Sequence, residues 1–438
     1  MTQNMTQKKI LSLLMAFSLS VSLSSCAAEQ NQGEISKPVY EAPNKNVHSE
    51  EDVKNEERTF SALQSSDGFS WGGFGEEGLY YVNAAGRSDG SCNLCYVDYQ
   101  SAQSMCLCSQ PNCTHDNESC SSYLIPTPGG IVTERVAERI ILFFQNSPFY
   151  DPDNTSKARV ESIALNGSDR KVIHEFSPNE IPQKPMLTDG KSVFFVLWSV
   201  ETEEKESANL VSLDIYSGEL SIVKNMDTSI NERIWGTDGQ DFVIYRYTAP
   251  MSEENWQYEL ISWNPATGNE KQLYNWSSGE DRPILQGDTL VIKGEDGFYH
   301  LLKLDTLEDI ALTHYPLPEK DSGVSLSIMA ADQSHLIIRE SRLSDNGKAV
   351  DTYYMLDSEG QKEDWNLLFD VDGDVQPYTI VTDISDDSYL VYIGENEISE
   401  ISVSVDGTTN RLIASRKNYA VMKAADYWNG ENILTKIE

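Results

Sequence analysis

Basic residues are scarce in this chain of 438. Lysine and arginine number 33 against 69 aspartates and glutamates, a formal net charge of −36. That balance argues against nucleic acid as a partner and against docking on anionic lipid headgroups, since both would be repelled. Cysteine is absent after Cys120, so no disulfide framework spans the whole chain. No long segment beyond residue 58 shows helical periodicity, which excludes helix bundles. It also excludes the α/β lobes that a transporter's solute-binding lipoprotein needs. There is no HExxH and no phosphate-binding glycine loop.

What is present begins with an address. Lys8 and Lys9 precede the apolar stretch ILSLLMAFSLSVSL, residues 10–23. That run is too short and too serine-rich to span a bilayer as a helix. A basic start, a short apolar core and small residues before a cut describe a secretory signal over 1–25. The residues LSSC, Leu23 to Cys26, resemble the lipobox of bacterial lipoproteins. The resemblance implies cleavage before Cys26 and a lipid thioether on its sulfur. Residues 26–58 are polar and cannot bury enough surface to offset their ordering entropy. They read as a lipidated flexible tether that would hold the protein on the outer face of the cell membrane.

From 59 to 438 one pattern recurs: a short apolar strand, a loop, a second strand ending in Asp or Asn, a turn often holding Gly, then a third strand. Clear copies are SVFFVLW with NLVSLDIYSGELSIV (192–198, 209–223), DFVIYRY with YELISWNPATGNEKQLY (241–247, 258–274) and TLVIKG with FYHLLKLDTLEDIALTH (289–294, 298–314). Seven copies start at spacings of 46 to 61 residues. Alternating Val, Ile, Tyr and Phe between polar turns are strands. Asp or Asn opening the turn bonds its own backbone, and Gly supplies a positive φ. A further strand before most copies makes four per unit, as in KPMLTDGKS and ERIWGTDGQD. Repeated four-stranded antiparallel units predict an all-β fold, a β-propeller of seven blades. A run of separate β-sandwiches would need linkers that are not there. The C-terminal YAVMKAADYWNGENILTKIE, 419–438, reads as two more strands. These either close the ring against the first blade or begin an eighth.

Six cysteines remain beyond Cys26, all within residues 92–120: Cys92, Cys95, Cys106, Cys108, Cys113 and Cys120. Cys108-x4-Cys113-x-His115-x4-Cys120 supplies three thiolates and an imidazole, a closed tetrahedral donor set suited to structural zinc. In a hairpin turning near Ser101–Ala102, Cys95 is expected about opposite Cys108. That allows a second grouping of Cys92, Cys95, Cys106 and Cys108. An even number of cysteines in an exported chain equally suits disulfides, with fifteen pairings open. On either reading the cluster is expected to staple an elongated loop at the ring's seam, after the first blade's closing strand.

The lipobox, the tether, the blade pattern and above all LCSQPNCTHDNESC together resemble β-propeller lipoproteins of anaerobic gut Firmicutes. In blade pattern those resemble TolB-like and low-density-lipoprotein-receptor-like propellers. The resemblance covers roughly residues 60–438 and implies no biochemical activity. Cys92, Cys95 and Cys106 stand outside the family's usual pattern.

Other chemistry is thin. GFSWG, Gly68 to Gly72, spells the letters of a hydrolase elbow, yet a β-strand follows it where the elbow needs a helix. His48, His174, His300, His314 and His335 stand singly. FDVDGDVQ gathers Asp370, Asp372 and Asp374 at an acidic turn without calcium-loop spacing. Trp198, Trp235, Trp263 and Trp276 suit packing between blades or stacking on sugars. The expectation is therefore a lipid-anchored binding or interaction module for a protein, peptide or glycan. The alternative is an extracellular carbohydrate-active hydrolase or lyase using two carboxyls at the central mouth.

Overall fold

A computed structural model describes residues 59–438, apart from 64–70, 84–89, 147–150, 249–255, 278–281, 317–322, 345–347, 404–408 and a few single positions. The signal, the tether, Cys26, His48 and Asp372 lie outside the described residues. So do Gly68 to Ser70 of the GFSWG stretch.

Seven four-stranded antiparallel sheets follow one another along the chain. Blade one is Trp71–Phe74, Gly78–Asn83, Cys92–Asp98 and Ser104–Cys106. Blade two is Ile131–Val136, Arg139–Phe144, Arg159–Ala164 and Lys171–Glu175. Blade three is Glu180–Thr188, Ser192–Thr202, Lys205–Asp214 and Leu220–Met226. Blade four is Arg233–Thr237, Phe242–Thr248, Gln257–Trp263 and Glu270–Ser277. Blade five is Ile284–Gln286, Thr289–Lys293, Tyr299–Lys303 and Asp309–Ala311. Blade six is Val324–Ala331, His335–Leu343, Ala349–Asp357 and Lys362–Asp364. Blade seven is Thr379–Ser385, Ser388–Val403, Thr409–Lys423 and Leu434–Lys436.

First strands of blades one and two, of three and four, and of six and seven touch, which places the first strands at the axis. Antiparallel order then puts the first-to-second and third-to-fourth turns on one face, called lower here. The second-to-third loops and the links between blades lie on the upper face. Between blades, both sheet faces are buried. Phe143 of blade two meets Phe195 of blade three edge-on, with ring centroids 5.4 Å apart. Leu79, Tyr81 and Val97 of blade one pack on Leu390 and Tyr419 of blade seven. Among the described residues the ring closes by packing, with no strand exchanged between its first and last blades.

Of the two outcomes open for the C-terminal residues, the first holds: Tyr419 and Ile437 pack into the core of blade one and close the ring, and no eighth blade begins. Tyr419 to Lys423 end a long third strand, a short helix Ala424–Trp428 follows, and Leu434–Lys436 is blade seven's own outer strand. The helix buries Tyr427 and Trp428 against blades six and seven, and its Trp428 Nε1 donates to the Tyr389 hydroxyl at 3.0 Å. The acidic stretch FDVDGDVQ is a turn, as read from the sequence; it closes a hairpin of Leu368–Val371 with Asp374–Pro377 and is held by the Gly373 N–H donating to Asp370.

One strand was not legible at all. Ser61–Leu63 pairs with the first strand of blade three, Ser61 opposite Thr188 and Leu63 opposite Met186. The chain therefore enters the ring at the axis, two blades away from blade one in chain order. The Phe60 N–H donates to the Gly239 carbonyl at 2.7 Å, in a lower-face turn of blade four. Its ring is wedged edge-on between Phe194 and Phe242, at 5.4 and 4.8 Å.

Replacing Phe60 by Ala removes a buried ring shared by two blades. A loss of about 3–5 kcal/mol in denaturant-induced unfolding is expected, against almost none for Ala62→Ser at an exposed site. A second expectation concerns pH. His300 is flanked by Asp296 and Asp309. Burial opposes its charge, but hydrogen bonds to Asp309 and Asp296 outweigh that and raise its pKa. Its contribution is full below the ordinary histidine range and is lost as pH rises through the raised value. The stability gap between the protein and His300→Gln, measured by unfolding at several pH values, is expected to shrink as pH rises above the ordinary histidine value.

Candidate metal centre

The third strand of blade one, Cys92–Asp98, reverses through a tight turn in which Ala102 takes a left-handed φ of 54°. The register that follows sets Cys95 opposite Cys106, not opposite Cys108 as the hairpin count suggested. Leu107 N–H still donates to the Leu94 carbonyl at 2.8 Å. At Cys108 the chain leaves the sheet. It returns as Tyr123–Leu124, which pairs with Asn93 and Cys92 of the same third strand. The cysteine loop therefore interrupts the outer strand of blade one instead of following it.

Its place on the ring is also different from the one expected. Arg170 of blade two donates to the carbonyls of Ser121 and Tyr123, at 3.1 and 2.5 Å. A Cβ on Gly167, in a blade-two turn, would come within 2.4 Å of the Leu107 carbonyl. The loop lies on the blade-two side, away from the seam with blade seven.

Within the loop, one donor atom each from Cys108, Cys113, His115 and Cys120 all lie within 4.8 Å of one another. Two left-handed residues, Asn112 and His115, both at φ 58°, make the reversals that fold the ligands inward. Asn tolerates that region better than most residues. The surrounding hydrogen bonds orient the set. Gln110 N–H donates to Cys108 Sγ at 3.4 Å. Asn93 Nδ2 donates to the His115 carbonyl and to Ser122 Oγ, each at 3.0 Å. His115 Nδ1 lies 3.2 Å and Ser122 Oγ 3.1 Å from Cys120 Sγ.

Electrostatics split the thiols. Burial penalises the Cys120 thiolate, but hydrogen bonds from Ser122 and His115 outweigh it and bring the thiol down to about 6. The His115 backbone N–H favours the Cys113 thiolate, yet burial together with Cys120 and Cys108 beside it pushes that thiol up to about 11. Three thiols this close cannot all ionise without a cation among them. A divalent ion supplies that charge, and three thiolates with one imidazole are a donor set of the closed structural type. The four residues can hold a metal ion; they leave no ligand position for substrate.

The remaining cysteines do not join them. Cys92 packs among residues of blades one and two, its Sγ donating to the Leu124 carbonyl at 3.7 Å. Cys95 and Cys106 face blade seven. Cys92, Cys95, Cys106 and Cys108 thus do not form the second grouping that their spacing allowed. Sequence reasoning had no signal for Arg170, which lies 50 residues beyond Cys120 in the chain. Asn93 was equally unmarked.

Other sequence candidates settle elsewhere. Trp71 and Gly72 of GFSWG open a strand, so no elbow forms. Trp263 and Trp276 are core residues, and Trp198 and Trp235 are half-buried. His335 touches both Asp332 and Ser334, but through the same ring nitrogen, Nδ1, and within one turn. A relay needs both nitrogens.

No family model matches this chain, and no curated protein does. Similar solved structures include an oligogalacturonate lyase in complex with manganese, at 16% identity over 68% of this chain and 77% of that one, TM-score 0.35. Another is the β-propeller domain of the trilobed protease from Pyrococcus furiosus, at 10% identity, 82% and 97% coverage, TM-score 0.39. BamB from Moraxella catarrhalis is similar at 11% identity, 77% and 82% coverage, TM-score 0.30. None of these likenesses assigns an activity to this chain.

Elemental analysis of the purified protein is expected to give one metal ion per chain. His115→Ala and Cys113→Ser should each abolish it. Cys92→Ser, outside the donor set, should leave it in place.

Proposed function

We propose that this protein is a lipoprotein anchored through Cys26 to the outer face of the cell membrane, whose propeller is a binding module. The observation that carries the reading is where the chain joins the ring. Phe60 and Ser61 meet lower-face turns of blades four and three. A tether ending there turns the lower face toward the membrane. The upper face, with the loops and links between blades, is then presented outward. The ligand is a protein, peptide or glycan met outside the cell.

In that setting the two cysteine readings divide between different residues. Cys108, Cys113, His115 and Cys120 hold a structural zinc ion, which pins the interrupted outer strand. Cys95 and Cys106 are a directly opposed pair of the narrow, non-hydrogen-bonded kind, flanked by the Leu107-to-Leu94 bond. Such pairs bring side chains closest together, and an oxidising exterior favours their closure as a disulfide.

Membrane fractionation tests the anchor. The chain is expected in the membrane fraction and labelled by palmitate, and Cys26→Ala is expected in the soluble fraction without label. Peptide mapping under non-reducing conditions is expected to join Cys95 to Cys106. An unlabelled, soluble wild-type chain would remove the anchor from this account.

A further inference from the structure

Blade seven carries an arm. Its second and third strands, Ser388–Val403 and Thr409–Lys423, have 16 and 15 residues, whereas the longest strand elsewhere among the described residues has 11. The first strand of the blade pairs with the second only as far as Tyr392, and the outer strand with the third only as far as Ala420. A bulge at Ile393 follows, and then ten further pairs, from Gly394 opposite Asn418 to Val403 opposite Thr409. These form a ribbon of two strands. At about 3.4 Å per residue it extends roughly 30 Å beyond the blade, on the upper face where second strands turn into third ones.

The two edges of the ribbon differ. The inner one, on the second strand, is braced at its root by the 368–377 hairpin. A Cβ on Gly394 would lie 3.3 Å from the Phe369 ring, and that ring meets Tyr392 edge-on at 5.0 Å. The outer edge, Thr409 to Asn418, pairs with no strand beyond the ribbon among the described residues. It lies in line with the outer strand Leu434–Lys436, which pairs with the same third strand at Ala420 to Met422. An added strand would continue that row. Proteins blunt such edges with proline or bulges, yet residues 409–418 hold neither.

In a chain of net charge −36, the third strand holds no acid at all, only Arg411, Arg416, Lys417 and Lys423. The acids of the arm, Glu395, Glu397 and Glu400, stand on the second strand. Their register offsets one base: Glu395 is opposite Lys417, and Glu397 is diagonal to it. Arg411 is opposite Ile401, with Ser399 and Val403 diagonal; Arg416 is opposite Asn396, with Gly394 and Ile398 diagonal. Neither arginine has an acid among these cross-strand neighbours. On the open side, each would stand opposite one residue of an added strand. Their separation in sequence is odd, so they fall on opposite faces of the ribbon. Leu412, Ile413 and Ala414 lie between them.

A second copy does not fit this edge. A two-fold contact would set the edge against itself, base facing base. A head-to-tail contact would set upright copies two strands, about 10 Å, apart, yet each blade alone is four strands wide. We propose that the outer edge of the arm takes up an extended segment of another protein as an added strand. The segment carries two acidic residues five positions apart, one for Arg411 and one for Arg416, with β-branched residues between them to match Leu412, Ile413 and Ala414. This rests on the reading of the ring as a binding module with its upper face outward, and it names that module's ligand.

The test titrates the full chain into the fluorescently labelled peptide STETVVVETS and follows its anisotropy. Saturable binding is expected. The isomer STETVVVTES, whose acids are six apart and so share a face, should bind about threefold more weakly. The lysine peptide STKTVVVKTS should bind about tenfold more weakly than the first. Arg411→Ala and Arg416→Ala should each erase the difference between the isomers, since one arginine can meet one acid of either. Glu395 and Lys417 are directly opposite, so an Asn-Gly turn can join them and remove the arm beyond. That variant should lose binding and keep the unfolding midpoint of the parent. No saturable binding, equal binding of the two isomers, or binding that survives removal of the arm would each overturn the proposal. Those outcomes would leave the anchor through Cys26 standing, since membrane fractionation tests it separately.

Discussion

Each blade of this protein is apolar on both faces, and that constraint organises everything else. A sheet such as blade four, with Val243 and Leu260 on one side and Phe242 and Ile244 on the other, cannot face water on either side. It needs a neighbour on both, and only a closed ring gives every blade two. Closure here depends on Leu79, Tyr81 and Val97 meeting Leu390 and Tyr419, because among the described residues no shared strand latches the ends.

The outer strands bear least of this burden, since a blade's rim contacts its neighbours least. Blade one exploits that freedom by breaking its outer strand between Leu107 and Tyr123. The break is costly in principle, because two short pieces must hold a register that one longer piece would hold alone. Ties at both ends offset it. Arg170 reaches across from blade two to the carbonyls of Ser121 and Tyr123, and is itself paired with the buried Glu161 at 2.6 Å. Asn93 fixes His115 and Ser122 from beneath. Between these ties sits the donor set of Cys108, Cys113, His115 and Cys120, whose mutual repulsion as thiolates a bound cation would relieve.

Much of the fold was legible in the sequence because it is local. Turns such as Asp238-Gly239 and Asp214-Gly218 carry their chemistry within a few residues, and the alternation in SVFFVLW marks a strand buried on both sides. The four donors were legible for the same reason, since all fall within thirteen residues. What could not be read depends on long-range placement. Ser61–Leu63 pairs with a strand more than 120 residues away, and its three residues carry no pattern of their own. The register of Cys95 against Cys106 followed from the left-handed Ala102, which residue type alone does not announce. The short helix at Ala424–Trp428, between two strand segments that were legible, went unread because its five residues are too few to show a helical period.

The central claim is that a metal ion held by Cys108, Cys113, His115 and Cys120 keeps the divided outer strand of blade one in place. Native-state hydrogen exchange with and without a chelator tests it most directly. The account predicts that chelation strips protection from Ser104 to Leu107 and from Tyr123 and Leu124, while the inner strands of blades two to seven keep theirs. Unchanged exchange in blade one, or a loss spread evenly around the ring, would contradict it.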